Sequence, residues 1–89
     1  MRYQIIARRM SPPASREYTH IAAVQYRSGA VATCTREEMV LLLELGNTAF
    51  VQGANHQSEV AVFEVNGVKY LRTHADGYWD DNLLSLPTF

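Results

Sequence analysis

Eighty-nine residues, 47% of them apolar and carrying a formal charge of −1, predict one small domain over residues 1–89 and exclude a disordered chain. The longest apolar run, Met39–Leu43, is far short of the about 18 residues a transmembrane helix needs, so no membrane partner is expected. A pI of about 6.3 argues against a uniformly basic nucleic-acid binder, and a chain this short supports only a thin core.

The first expected element is a strand over residues 3–10, in which Tyr3, Ile5 and Ala7 share one face and Gln4, Ile6 and Arg8 the other. Ser11-Pro12-Pro13-Ala14-Ser15 then interrupts regular structure, because proline lacks an amide donor and restricts the residue before it. A second strand is expected from about His20 to Arg27, ending at a Ser28-Gly29 turn.

Thr35-Arg36-Glu37-Glu38 has the form of a capping box, with Thr35 and Glu38 each satisfying the other's amide. The helix it opens places Met39, Leu42, Leu43 and Gly46 on one face, with Gly46 as the stop. At about ten residues it is too short to stand alone and must dock on the sheet. A third strand follows over 48–52. Next come two strands, 59–65 and 68–73, joined by Asn66-Gly67, the preferred two-residue hairpin turn. Ala75-Asp76-Gly77 reads as a further turn, with Trp79 packed into the core, and Leu83, Leu84, Leu86 and Phe89 form an apolar tail. The expected fold is therefore α+β: an antiparallel sheet of about five short strands with one helix packed on it, in the order β-β-α-β-β-β.

Charge is unevenly spread. Residues 1–30 carry five arginines against the single acid Glu17, whereas residues 31–89 carry three basic residues against eight acids. Such asymmetry marks a basic binding face, or else two halves that neutralise each other within one sheet.

Cys34 is the only thiol, just ahead of the helix. A helix N-terminus can activate a thiol, but Glu37 and Glu38 oppose a second negative charge there. Cys34 and Met39 instead have the spacing of a hydrophobic staple. One cysteine cannot staple a secreted fold, and the N-terminal apolar stretch is too short for a signal peptide, so a cytoplasmic location is expected. His20, His56 and His74 lack the local spacing of metal ligands.

Functional side chains are densest in the 72–82 segment, where Arg72, His74, Asp76, Tyr78, Asp80, Asp81 and Asn82 fall together. These are the candidate binding residues. The plainer reading makes Asp76-Gly77 a turn and gives Asp80 to Asn82 backbone amides to bond. Neither a glycine-rich phosphate loop nor a nucleophile elbow is present, so no cofactor and no catalytic residue is assigned.

Tyr70 to Pro87, read with Thr19-His20-Ile21-Ala22-Ala23-Val24 and Thr35 to Glu38, resembles the DUF3892 family of small bacterial proteins of unknown function. The resemblance covers nearly the whole chain. It implies a free-standing bacterial domain, with phage or mobile-element association among its expectations, and carries over no activity. Two functional classes follow. One is a non-catalytic binding or regulatory module that meets a protein, nucleic acid or small ligand through the sheet surface and the 72–82 turn, with an edge-strand homodimer as one form. The other is a small metal-dependent hydrolase using His20, His74, Asp76 and Asp80.

Overall fold

A computed structural model describes every residue from Met1 to Phe89. Seven strands are present: β1 (Arg2–Met10), β2 (Ile21–Ser28), β3 (Ala30–Thr35), β4 (Thr48–Gln52), β5 (Gln57–Val65), β6 (Val68–Ala75) and β7 (Tyr78–Asp80). One helix, α1 (Arg36–Glu44), separates β3 from β4, and 3₁₀ turns occupy Tyr18–His20 and Leu83–Ser85. The α+β class is as expected. The count of five strands is not.

The two additional strands lie where a glycine turns the chain abruptly. Gly29, at φ +83°, reverses β2 directly into β3, so that Ser28 pairs with Ala30. Asp76 and Gly77, both at positive φ, form the expected turn but lead at once into β7.

The sheet order is β3-β2-β1-β4-β5-β6-β7, and the sheet is mixed rather than antiparallel throughout. Every pairing is antiparallel except that of β1 with β4, where Tyr3 lies beside Ala49. The helix explains the exception. A crossover through α1 returns the chain to the end where β3 began, so β4 must run parallel to β3, and hence to β1.

Local chemistry delimits α1 at both ends. The Glu38 amide donates to Thr35 Oγ1 at 3.1 Å, and the Thr35 amide donates to Glu38 Oε1 at 2.9 Å, completing the capping box. At the far end, Gly46 at φ +99° lets its own amide reach the Leu43 carbonyl and the Asn47 amide reach that of Leu42, a Schellman stop. Met39 and Val40 are buried in one cluster with Cys34, so both ends of the expected staple lie in the core.

Tyr3, Ile5 and Ala7 are buried, as the alternation predicts. Met10 is also buried despite its parity, because the register shifts between Arg9 and Met10. The sheet curls. On a flat sheet, four strand spacings of about 4.8 Å would separate β2 from β6. Yet the 3₁₀ turn that leads into β2 packs against β6, and α1 packs against β2 and β3 as well as β4, β5 and β6. The resulting extents, 29 × 28 × 28 Å, are nearly equal. Ile5, Ile21, Val24, Met39, Val51, Leu71 and Leu83 fill the enclosed side. The tail closes onto β1, where the Arg8 amide donates to the Pro87 carbonyl and the Phe89 amide to that of Arg8.

Candidate functional site

The Asn66-Gly67 turn, with φ of 51° and 81°, sets the register of β5 against β6 and thereby assigns each side chain to a face. Ser58, Val60, Leu71 and Thr73 face the core, and Asp80 joins them through its pairing with Thr73. Glu59, Ala61, Phe63, Tyr70, Arg72 and His74 share the opposite face, which Trp79 joins by pairing with His74. Trp79 is therefore not a core residue, as the sequence reading expects, but is 44% exposed. Inward parity on β7 belongs to Asp80.

Arg72 is the centre of the outer face. Its guanidinium carbon lies 4.8 Å from the Tyr18 ring centroid, 5.2 Å from Phe63 and 4.9 Å from Trp79. Cation–π contacts of this kind contribute about 0.5–2 kcal/mol each. The rings hold one another edge-on: Tyr18 with Phe63 at 5.7 Å, Tyr18 with Tyr70 at 6.0 Å, and Phe63 with Trp79 at 5.1 Å. His74 adds an edge-on contact to Trp79 at 5.5 Å, and Arg36 lies over Tyr70. Arg72 itself pairs with no carboxylate. Beside it, His74, Gly77, Tyr78 and Trp79 line a cleft of about 310 Å³. This arrangement can stack a flat group and bind an anion with the in-plane donors of Arg72.

The inward side does different work. The Asp80 carboxylate accepts from Ser58 Oγ at 2.6 Å, Thr73 Oγ1 at 2.7 Å and the Asn82 amide at 3.0 Å, with His56 Nε2 at 3.4 Å. Burial pushes this carboxyl up, but the four donors outweigh burial and hold it at about 2. Asn82 Nδ2 donates to Ser58 Oγ at 2.7 Å and to the His56 carbonyl at 3.3 Å. Gly53 leaves the room for it, since a Cβ there would sit 2.5 Å from Asn82 Nδ2. Asp80 and Asn82 thus tie β5, β6 and β7 to the tail.

The seven candidate residues of the 72–82 segment therefore do not converge. Arg72 and His74 share the outer face with Trp79, and Tyr78 lies exposed at its rim. Asp76 forms the turn, and the Asp81 carbonyl accepts from the Ser85 amide and hydroxyl. His20, 2.6 Å from Ser15 Oγ and 3.6 Å from Glu17, is engaged in the 11–20 loop. No three His, Cys, Asp or Glu side chains form a metal-binding group, so His20, His74, Asp76 and Asp80 are not brought together as one. Burial, reinforced by Glu38, pushes the Cys34 thiol up to about 11, away from nucleophilic chemistry.

Tyr18, Phe63 and Tyr70 escape the sequence reading. For Phe63 and Tyr70 a signal existed, because a two-residue turn at Asn66-Gly67 places them directly opposite each other, two positions from Arg72. Tyr18 has no such local signal.

The fold and this outer face define a small mixed-sheet α+β domain with a stacked arginine on its surface. No helix is long and apolar enough to cross a membrane. The profile of the DUF3892 family, described as a protein of unknown function, matches residues 4–87, and the chain belongs to that family. No curated protein and no solved structure matches it.

Proposed function

We propose that this protein is a non-catalytic binding module of the bacterial cytoplasm, and that its ligand meets the Arg72 face of the β5–β6–β7 sheet. One observation carries the reading: the Arg72 guanidinium stands among three aromatic rings with no carboxylate partner. Stacking holds the guanidinium plane in place while its edge remains available to an anion. The cleft of about 310 Å³ beside Trp79 supports a small ligand, an anion joined to a flat or apolar body. A cytoplasmic site of action fits the single, buried, free thiol.

Trp79 is the only tryptophan, so its emission reports this face directly. Titration with adenosine monophosphate and with benzoate is expected to give a saturable change, and inorganic phosphate a weaker one. Arg72→Gln is expected to weaken the response by about tenfold or more, equivalent to about 1.4 kcal/mol. An identical response in wild type and Arg72→Gln, or none to either probe, would overturn the reading.

A second observation favours self-association. β3 forms one edge of the sheet, and Ala30-Val31-Ala32-Thr33-Cys34-Thr35 contains no charge and no proline. The opposite edge, β7, is only three residues long and ends in Asp80. An open, uncharged edge suits antiparallel pairing with a second copy, because no like charges face each other across the two-fold. Sedimentation should then show a concentration-dependent dimer that Thr33→Lys reduces to monomer, with the two proteins melting alike at dilutions where wild type is also monomeric. A wild-type chain that stays monomeric at high concentration removes the second copy as a partner.

A further inference from the structure

Of the five arginines of residues 1–30, Arg27 is exposed and in no ion pair, and the other four differ in their surroundings. Arg2 pairs with Glu59 at 2.7 Å, and Arg9 lies over the Phe89 ring and donates Nε to the Phe89 carbonyl. Arg8 and Arg16 pair with no carboxylate. Both line a cavity of about 480 Å³ between the 11–17 loop and the C-terminal tail. No acidic residue lines it, and the acid of that loop, Glu17, is 3.6 Å from His20 Nδ1.

Arg8 is held firmly. Its amide and carbonyl are both bonded to the tail, at 3.0 and 3.1 Å, and its residue pairs with Val24 of β2. Its Nε is nevertheless buried and donates to nothing. Buried donors are almost always satisfied, and one belonging to a charged group is costly to leave open. What the cavity offers an entering acceptor is therefore the rest of the Arg8 guanidinium, while the buried Nε keeps its charge from being satisfied within the fold.

We propose that this cavity binds a phosphate group, with Arg8 at its inner wall and Arg16 at its mouth. Two guanidinium groups with no acid among them match a doubly charged oxyanion better than a single carboxylate. The Thr88 hydroxyl supplies a neutral donor, and Pro13 and Leu84 supply apolar wall. The volume exceeds what inorganic phosphate alone would fill, so the ligand class is a small phosphorylated molecule. This site is separate from the Arg72 face and does not depend on that reading.

Amide chemical-shift mapping and thermal melting with inorganic phosphate test it, with sodium chloride holding ionic strength constant and acetate in parallel. Saturable shifts are expected at Arg8, Ser15, Arg16, Leu84, Ser85, Leu86 and Thr88, with a rise in Tm. Arg16 is exposed, so Arg16→Gln should fold normally and lose about tenfold in phosphate affinity. Arg27→Gln, which removes an exposed arginine outside the cavity lining, should bind phosphate as wild type does. Absence of a saturable response, an unchanged affinity in Arg16→Gln, or acetate acting as strongly as phosphate would each overturn the assignment.

Discussion

Asp80 gathers four donors from three parts of the chain onto one carboxylate, and its ionisation is therefore coupled to folding. Its native value of about 2 lies below the ordinary 3.8, so ionised Asp80 favours the native state wherever the pH exceeds the unfolded value. As pH falls through 3.8 the unfolded chain takes up the proton first, and the advantage is gone once pH reaches about 2. The shift corresponds to about 2 kcal/mol. Urea unfolding of wild type and Asp80→Asn between pH 7 and pH 2 should show a stability gap at neutral pH that closes over this window. A gap independent of pH would mean that size and shape, rather than charge, make Asp80 matter. The same residue shows what one sequence can convey. Bonding of the Asn82 amide to Asp80 is a two-residue, local event and was expected. The partnership with Ser58 and Thr73 depends on strand register, which only the assembled hairpins define.

Among the elements, α1 and the β5–β6 hairpin were legible because their signals are local: Thr35 with Glu38, and Asn66 with Gly67. β7 shows the opposite case. Three residues are too few to display an alternation, so the sequence shows the Asp76-Gly77 turn but neither the strand it starts nor the face that Trp79 takes. That turn carries its own prediction. Asp76 adopts φ 52°, a left-handed conformation that disfavours a Cβ-bearing residue lacking a short polar side chain. Asp76→Ala should cost about 1 kcal/mol and lower Tm by about 5 °C, whereas Asp76→Gly should leave it near wild type. Circular dichroism melts decide this. A fully stable Asp76→Ala protein would show that the side chain serves something other than the turn.

For the whole molecule, the parallel β1–β4 contact and the curl of the sheet were beyond reach of the sequence, since nothing within a short window says which strand will lie beside which. The candidate site was half visible for the same reason. Arg72, His74 and Trp79 stand close together in the chain, whereas Tyr18 reaches Arg72 only because the curl brings the turn before β2 against β6. The charge asymmetry was visible but not its outcome, with Arg2 neutralised by Glu59 and Arg8 left without a carboxylate.

The placement of β1 has a kinetic consequence. Its neighbours are β2 on one flank, and on the other β4 near its start and the 87–89 tail near its end. Those last two come from segments more than forty and about eighty residues away along the chain, on the order of the loop separations that slow folding most. The β5–β6 hairpin, closed by two residues, can form at the rate of a local turn, but β1, an interior strand, acquires its second flank last. Until then Arg2 to Gln4 and Arg8 lack their partners on that flank, in a strand whose Ile5, Ile6 and Ala7 put apolar side chains on both faces. In this protein the interval between hairpin formation and closure of the β1 flank is when aggregation competes with folding.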